Sequence, residues 1–488
     1  MELPGGSNVA SPPSSRCSLE RRVEDTVNAI DWEALSAIAC KLHRVQSARW
    51  GDQLWGGYNV VRFLHLDNAD KTIIVARVPH RPSKGYMPEH ARAISNRISS
   101  EVATMEYVAT YTRVPIPRVL HFSAEVDPLV GSPYILMSKV DGVCLSTLWD
   151  SMTDDNREIV LRQVVDILLE LSNQRFDRIG ALFKGDGVGK AAWCVKTASS
   201  FASPEDEIES SAMASTYSSG VEYWTRYANA MLQRIHDNKF GNRGKEYDYV
   251  QVWFLRSLIP QLYDPSLDRD GFPLYPSDFH SQNIMVTFTD SKPVISAVID
   301  WEGSTTQSIV TFAHYPLFIV DHPFWDDDHP LRLRNVQDQA TFDRLLREAE
   351  QNANPGGSLL LSCLFSNCLG VYLFEQAMQF PGLIRDVIYP QLFAHVFGIV
   401  EDEEEKFQTE YYWALLEKGI LKKLTSQFRR ETEVWHEAMN VLGTDVVPKN
   451  LRRDQFRAVI LEHADQFDVD GQVRQWLATE DPKPVSPP

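Results

Sequence analysis

Strand-forming segments are concentrated in the first 140 residues of this 488-residue chain, and almost everything after residue 310 has the apolar spacing of helices. The patterns predict strands within 54–66 and 72–79, a helix over 95–112, and extended segments over 114–125 and 132–142. In this order the early strands can be buried as a small sheet covered by one helix. The sequence therefore predicts a small sheet-plus-helix lobe ahead of a mainly helical part.

The later part of the chain has only two further strand signals, "NIMVTF" (283–288) and "PVISAVID" (293–300). The serine-rich, acidic stretch 196–220 predicts a flexible loop or lid between helices. The overall prediction is an α+β fold with one small β-containing unit and one large helical unit.

The bulk composition excludes several classes of protein. A net charge of −18 and a pI near 5.2 argue against a nucleic-acid partner, which needs a basic face, and suit a cationic ligand. The six cysteines form no CxxC pair, which favours a reducing compartment. No apolar stretch is long enough to predict a membrane span. The predicted location is cytoplasmic; a mitochondrial location is weakly supported, because the N-terminal arginines are mixed with acids.

The stretch "YPSDFHSQNIMV" (275–286) holds the residues most suited to chemistry. If 283–288 and 293–300 form a hairpin, Asn283 and Asp300 come to the same end of it, close to Asp278. Hard oxygen ligands of this kind suit Mg²⁺. The pattern D-x-x-x-x-N followed by a hairpin and a second Asp is the arrangement used for phosphoryl transfer. The alternative from the residues alone is an ordinary turn with side-chain caps.

The first lobe offers the other parts that a nucleotide kinase needs, in the expected order. A glycine pair precedes a strand, a cation lies on a later strand in "IIVARVP", and an acid lies on the next helix in "SSEVATMEYV". The strand "YILMSKVDG" then leads out of the lobe, where a hinge would bind the adenine edge. The residues predicted to bind nucleotide are Gly56, Gly57, Arg77, Glu101, Met137, Ser138 and Val140.

Taken together, these stretches resemble the aminoglycoside phosphotransferase and choline kinase-like family, and more closely its fungal branch. The resemblance covers about residues 30–305, with family-like helices continuing to near 440, and it implies a two-lobed protein kinase-like fold with ATP in the cleft. By motif, it implies that Asp278 is the catalytic base, and that Asn283 and Asp300 are magnesium ligands. It also implies that Arg77 holds the position of the usual lysine and Glu101 that of its partner. The stretches that carry it are "IDWEALSAIACKLH", "GGYNVVRFL", "IIVARVP", "SEVATMEYV", "IPRVLHF", "SPYILMSKVDG", "QRFDRIGALF", "DFHSQNIMV" and "VIDWEG".

The chain departs from the family pattern at two positions. The family often has His-Gly-Asp where this chain has Pro276-Ser277-Asp278, so the base is held differently. Arg77 replaces lysine, and an arginine fork reaches phosphate with a different geometry. The predicted divisions are a disordered segment 1–28, a nucleotide-binding lobe 29–140, a catalytic and substrate lobe 141–400, a helical extension 401–480 and a tail 481–488.

The leading hypothesis is an ATP- and Mg²⁺-dependent phosphotransferase acting on a hydroxyl of a small molecule. The rival hypothesis is a catalytically silent kinase-like nucleotide-binding protein, which Arg77 and Pro276 keep open. A protein kinase is disfavoured, because no long activation segment ending in Ala-Pro-Glu follows Asp300. The predicted partner is a small molecule, for which a cation is the favoured class, with no nucleic acid, no membrane and no obligate protein partner.

Overall fold

The architecture is taken from a computed structural model of the chain. Two lobes are visible in its element order: a first lobe built on a five-stranded sheet, and a second built mainly from helices. The structure describes residues 13–82, 85–198, 215–237, 245–320, 325, 328–380, 388–398, 404–417, 421–447, 451, 453–467 and 471–478.

The first lobe contains an antiparallel sheet in the strand order β1-β2-β3-β5-β4. One face is covered by helix α2, whose Leu35 and Ala39 are buried against the sheet. The opposite face is covered by helix α3, whose buried side belongs to the main core. The elements of this lobe are α1 (Pro13–Ala29), α2 (Trp32–His43), β1 (Ala48–Trp55), β2 (Asn59–Leu66), β3 (Ile73–Pro79), α3 (Pro88–Tyr111), β4 (Val119–Ser123) and β5 (Tyr134–Ser138).

Strand β3 shows how the sequence pattern divides the two faces of this sheet. Ile74, Ala76 and Val78 are buried in the cluster under α2. Because successive side chains of a strand point to opposite faces, Val75 and Arg77 point towards α3. Val75 does pack against the main core on that side. The Arg77 side chain therefore lies on the face of the sheet that is turned towards the second lobe.

The second lobe combines short strands with helices. The hairpin formed by β11 and β12 pairs, through β11, with β6. Strand β6 is the first element after the chain leaves the first lobe. The strands are β6 (Val143–Cys144), β7 (Arg175–Phe176), β8 (Ala181–Lys184), β9 (Trp193–Lys196), β10 (Phe272–Tyr275), β11 (Ile284–Thr289), β12 (Lys292–Val298) and β13 (Thr305–Thr306).

The helices of the second lobe enclose one large apolar core, which also takes in the inner face of α3. A separate, smaller cluster joins the last three helices. Within the predicted extension 401–480, Phe428 packs against Tyr249 of the main body. The helices are α4 (Asp154–Ser172), α5 (Gly220–Asp237), α6 (Lys245–Leu262), α7 (Ile309–Phe312), α8 (Pro330–Ala353), α9 (Leu360–Ser366), α10 (Leu369–Gln379), α11 (Tyr389–Phe397), α12 (Glu404–Glu417), α13 (Lys422–Leu442), α14 (Arg453–Phe467) and α15 (Gln472–Ala478).

The structure differs from the sequence prediction at the N-terminus. The segment 1–28 was expected to be disordered, but Pro13–Ala29 forms a helix, while 1–12 lies outside the described residues. The physical reason is the spacing of Val23 and Thr26, which bury one side of this helix at 6% and 1% exposure. The prediction of disorder rested on the glycine, serine and proline content of the segment and did not take this spacing into account.

Two further differences concern strands. The glycine pair does precede the strand predicted within 54–66, which is β2, but the unpredicted strand β1 lies before the pair, so the sheet has one strand more than predicted. Strands β6, β7 and β13 have two residues each, which is too short for a periodic signal. Most of the predicted lid 196–220, and the tail 481–488, lie outside the described residues.

Helices that could cross a membrane were sought among the described residues. No single helix is long and apolar enough, whereas α9 and α10 together, bent by 66°, match by length and composition only. Both helices have buried side chains in the core, including Leu361, Phe365 and Phe374.

Candidate active site

The β11–β12 hairpin brings Asn283 and Asp300 to one end. Ile284 pairs with Val298, and the backbone N–H of Ile299 donates to the Asn283 carbonyl over 2.8 Å. The tight turn at the other end uses positive φ at both Asp290 and Ser291. The placement of the two polar residues is thus decided by the register of a local hairpin.

Asp278 lies beside Asn283 in the loop before this hairpin. The side-chain amide of Asn283 donates to the Asp278 carboxylate over 2.9 Å and to its backbone carbonyl over 3.0 Å. His280 lies 3.1 Å from the other carboxylate oxygen. The hydrogen bond with His280, supported by that with Asn283, lowers the pKa of Asp278, and the same bond raises the pKa of His280. Asp278 is therefore an ionised carboxylate whose side chain is half exposed.

Arg77 reaches across the cleft from β3. Its guanidinium donates to Glu101 on α3 and, in the second lobe, to Glu302 and, over 2.8 Å, to Asp300. Burial alone would lower the pKa of Arg77, but the three carboxylates outweigh burial and raise it. The structure thus brings Arg77, Glu101 and Asp300 together, although their roles towards a nucleotide stay a prediction.

Glu302 is the residue that the sequence reasoning missed. Its carboxylate is 10% exposed, accepts a hydrogen bond from the Asn59 amide over 2.8 Å, and lies 3.9 Å from the Arg97 guanidinium. It therefore ties the start of β2 and helix α3 to the loop after β12. An acid two residues beyond Asp300 in "VIDWEG" was the available signal.

Glu101 and Asp300 differ in environment although both bind Arg77. Burial raises the pKa of Glu101, Arg77 opposes this, and the nearby Glu302 and Asp300 carboxylates act with burial. Asp300 has a left-handed φ of 60° and a side chain that is 39% exposed. The next residue, Trp301, is buried and donates from its indole to the Val298 carbonyl over 3.0 Å. The Trp301 anchor holds the loop in a conformation that non-glycine residues seldom adopt.

Ser277, in the Pro276-Ser277-Asp278 stretch, connects two loops of the site. Its hydroxyl donates to the Gly303 carbonyl over 2.7 Å, which joins the loop of Asp278 to the loop of Asp300. Pro276, the residue before Ser277, is buried. Asp278 and Asp300 therefore lie on loops that this hydrogen bond connects directly.

The remaining predicted nucleotide residues lie at two places in the first lobe. Gly56 and Gly57 form the β1–β2 turn, where an added Cβ would meet nothing within 4 Å. Met137 and Ser138 end β5, and Val140 follows as the chain passes to the second lobe. Met137 is 8% exposed, and the Ser138 hydroxyl accepts a hydrogen bond from the Arg118 N–H over 2.9 Å.

A pocket of about 330 Å³ adjoins the loop of Asp278. Its lining combines aromatic side chains with polar groups near Ser277 and Gly303. Three of the aromatic side chains, Tyr223, Trp224 and Tyr227, contact one another in edge-on and tilted arrangements, with ring centroids between 5.0 Å and 6.4 Å apart. The full aromatic set is Tyr223, Trp224, Tyr227, Tyr275 and Phe380.

Glu375 lies behind the lining residue Thr311. Its carboxylate accepts hydrogen bonds from the Tyr263 hydroxyl over 2.5 Å and the Thr311 hydroxyl over 2.7 Å. Burial raises the pKa of Glu375 to about 8, against the effect of these two hydrogen bonds. His314 lies 3.6 Å away, and burial lowers its pKa to about 4. Both pKa shifts favour the uncharged form of the group concerned.

Glu375→Gln should reduce the pH dependence of stability. The folded-state pKa of Glu375 lies above its unfolded value of 4.5, so the folded protein binds the extra proton and loses stability as pH rises from 4.5 towards 8. Glutamine has no proton to lose, so the stability of the variant relative to wild type should rise between pH 5 and pH 8, by roughly 3 kcal/mol. Urea unfolding at pH 5 and pH 8 would measure this. A gap between the two proteins that does not change with pH would contradict it.

The oxygen ligands at the end of the hairpin fit a magnesium ion by their chemistry. The Asn283 amide uses its N–H on Asp278, and its oxygen accepts no hydrogen bond from any residue that the structure describes. Asp300 uses one carboxylate oxygen on Arg77. Within the described ranges no group of three or more His, Cys, Asp or Glu side chains could hold a metal by itself. Water and phosphate would therefore have to complete the coordination, as Mg²⁺ commonly requires.

Comparisons with known sequences find partial relatives. No protein-family model matches the chain. A subtelomeric hrmA-associated cluster protein of Aspergillus fumigatus is 33% identical over 128 residues, which cover 26% of this chain and 23% of the relative. The Clavispora lusitaniae protein named altered inheritance of mitochondria protein 9, mitochondrial, is 32% identical over 136 residues, covering 27% of this chain and 21% of the relative. The chain thus matches about a quarter of the length of these curated relatives.

Solved structures of similar fold are aminoglycoside phosphotransferases. Aminoglycoside phosphotransferase APH(4)-Ia is 16% identical, with 70% of this chain and 91% of that chain covered at a TM-score of 0.36. The streptomycin–ATP ternary complex of APH(2")-IIa is 10% identical, with 72% and 93% covered at 0.39. The predicted α+β architecture, with a small sheet-containing first lobe and a large, mainly helical second lobe, is confirmed by this chain's own element order.

Proposed function

We propose that this chain is an ATP- and Mg²⁺-dependent phosphotransferase that transfers the γ-phosphate to a hydroxyl of a small molecule. One observation carries the proposal: Asp278, Asn283 and Asp300 meet at one end of a hairpin, and Asp300 faces the buried Arg77–Glu101 pair across the cleft. Phosphoryl transfer depends mainly on positioning and charge stabilisation, and this arrangement provides groups for both.

In this proposal Asp278 accepts the proton of the attacking hydroxyl. Its lowered pKa keeps it ionised, while Asn283 and His280 hold both carboxylate oxygens in place. Arg77 would turn one face of its fork to the nucleotide phosphates, and Glu101 would keep that fork oriented. The Gly56-Gly57 turn would lie over the phosphates, and the Met137–Val140 segment would contact the adenine edge.

Magnesium would be held by the Asn283 amide oxygen and the Asp300 carboxylate. Bound there, it would neutralise charge on the β- and γ-phosphates. The partly exposed Asp300 carboxylate and its Trp301 anchor support this assignment.

Asp300→Ala should weaken nucleotide binding more in the presence of Mg²⁺ than in its absence. The carboxylate is the one charged ligand proposed for the metal, so its loss removes the metal's contribution to affinity. Calorimetric titration of ATP with Mg²⁺ and with chelator would compare the two. Equal losses in both titrations would assign Asp300 a structural role as a partner of Arg77.

The pocket beside Ser277 supports a small cationic acceptor. Aromatic faces attract cations, and Tyr223, Trp224 and Tyr227 contribute such faces to its lining. The net charge of −18 favours the approach of a cation over that of an anion. Arg97, the cation in the lining, is itself close to Glu302.

A catalytically silent nucleotide-binding protein is the second candidate. The observation that favours it is the Arg77 fork, which is engaged by three carboxylates, including the proposed metal ligand Asp300. A nucleotide would have to draw the guanidinium away from these carboxylates before the fork could bind its phosphates. In the silent protein that exchange would not occur.

An ATP-consumption screen distinguishes the two candidates. The purified protein would be tested with Mg²⁺ against amino-alcohols, aminoglycosides and neutral sugars. We expect conversion of ATP to ADP with transfer of the γ-phosphate to a hydroxyl of at least one cationic acceptor. Nucleotide binding by calorimetry without turnover on any compound would support the silent protein, and absence of nucleotide binding would reject both candidates.

The cellular location that we propose for this protein is the mitochondrion. The cytoplasmic prediction gains no support from the relatives, whereas the yeast relatives carry a mitochondrial name. These names favour the mitochondrial alternative. Fractionation of cells expressing the tagged full-length protein would decide between the two compartments.

A further inference from the structure

The glycine turn between β1 and β2 is not held by side-chain packing. A Cβ at Gly56 or Gly57 would meet nothing within 4 Å, and the neighbouring Leu54 and Trp55 are 56% and 54% exposed. Glycine adds backbone freedom of its own. The conformation of this turn must therefore be determined by hydrogen bonds to its backbone.

His80, one residue beyond β3, supplies two of these hydrogen bonds. Its backbone N–H donates to the Tyr58 carbonyl over 2.7 Å, and its ring Nε2 lies 2.8 Å from the Gly56 carbonyl. A carbonyl oxygen only accepts, so Nε2 carries the hydrogen. The ring is buried at 8% exposure, and its Nδ1 has no hydrogen-bond partner among the residues that the structure describes.

The hydrogen bond to Gly56 orients the next peptide group. The peptide between Gly56 and Gly57 is planar and trans, so the Gly57 N–H points opposite to the Gly56 carbonyl. With the carbonyl directed at His80, the N–H of Gly57 is directed away from it. Backbone N–H groups aimed in this way are the usual ligands of phosphate oxygens in glycine-rich turns.

We propose that His80 is a positioning residue that fixes the Gly56–Gly57 peptide and so presents the Gly57 N–H to a nucleotide phosphate. The inference deepens the proposed function and rests on it for the identity of the ligand. Nothing in the sequence pattern singles out His80, because its contact lies 24 residues away along the chain.

Helix α1 restrains the residue that follows His80. The Arg81 N–H donates to the Thr26 hydroxyl oxygen over 2.9 Å, and that hydroxyl donates to the Arg22 carbonyl over 2.6 Å. Thr26 is 1% exposed. The end of β3 is therefore tied on one side to the glycine turn and on the other to α1, which limits how far His80 can move.

The test uses two amide substitutions that differ by one bond in reach. In His80→Gln the side-chain nitrogen is as many bonds from Cβ as Nε2, so it can still donate to Gly56. In His80→Asn the side-chain nitrogen lies at the position of Nδ1, one bond closer to Cβ, and cannot reach the Gly56 carbonyl. We expect the asparagine variant to bind a non-hydrolysable MgATP analogue about 3- to 10-fold more weakly, the scale of one hydrogen bond, and the glutamine variant to stay within about 2-fold of wild type.

A second measurement does not depend on nucleotide. Amide hydrogen exchange of residues 55–59 in the nucleotide-free protein should be faster in His80→Asn than in His80→Gln, while thermal unfolding of the two variants is similar. Equal exchange and equal affinity in the two variants would overturn the inference. A wild-type protein that binds no nucleotide would instead overturn the proposed function, and the exchange comparison would still decide whether His80 holds the turn.

Discussion

Asp278→Asn is expected to preserve folding and nucleotide binding while turnover falls by a factor on the order of 100 or more, the scale of a lost general base. The substitution keeps the shape of the side chain and an oxygen that can accept the Asn283 amide. It removes the charge that His280 and Asn283 stabilise and the ability to take a proton. The loss should therefore appear in kcat and not in nucleotide affinity.

A matched control is Asp70→Asn, which makes the same chemical change at an exposed position in the loop before β3. Steady-state kinetics with any acceptor found in the screen would be compared with calorimetric affinity for the nucleotide. Turnover of the Asp278 variant near that of the Asp70 variant would remove Asp278 from the mechanism. Loss of folding in the Asp278 variant alone would assign the carboxylate a structural role.

Arg77→Ala should have the largest effect on stability of any single change at the site, roughly 3 kcal/mol or more. It leaves Glu101 and Glu302 in the cleft, with side chains 3% and 10% exposed, without the guanidinium that both bind. Arg77→Lys keeps the charge and loses the fork, so it should recover part of the stability and part of the nucleotide affinity. Denaturant unfolding would rank the stabilities of the three proteins, and we expect wild type to be the most stable, Arg77→Lys intermediate and Arg77→Ala the least stable.

The control for this prediction is Arg62→Ala on the neighbouring strand. Arg62 lies over the rings of Trp32 and Trp50, at 4.6 Å and 5.0 Å, so its removal costs a cation–π contact. Among the residues that the structure describes, it forms no ion pair with a carboxylate. We expect a loss of about 1 kcal/mol there. Adding Glu101→Gln to Arg77→Ala should restore part of the stability, because one of the two buried carboxylates that lose the guanidinium is then neutral. Similar losses for Arg62→Ala and Arg77→Ala would contradict the role of the carboxylate cluster.

The sequence by itself determined the local part of the site. A hairpin over 284–298 follows from two strand patterns and a short turn, and its register alone places Asn283 and Asp300 together. The alternation of β3 likewise determined that Arg77 leaves the strand on the face of Val75. Both predictions use residues close in sequence, for which the period of the backbone is sufficient.

The tertiary structure decided the partners. Glu302 binds Asn59 across 243 residues, and Arg77 meets Asp300 across 223. Helix α1 buries Val23 and Thr26 against the rest of the lobe, a contact that the composition of the N-terminal segment did not predict. A periodic pattern specifies which face of an element is buried, but not which element covers it. The resemblance already implied Glu101 as the partner of Arg77, whereas Asp300 and Glu302 meet Arg77 only through the packing of the two lobes, which no local pattern encodes. The His80 hydrogen bond lies within the first lobe, and it depends on how the end of β3 packs beside the β1–β2 turn.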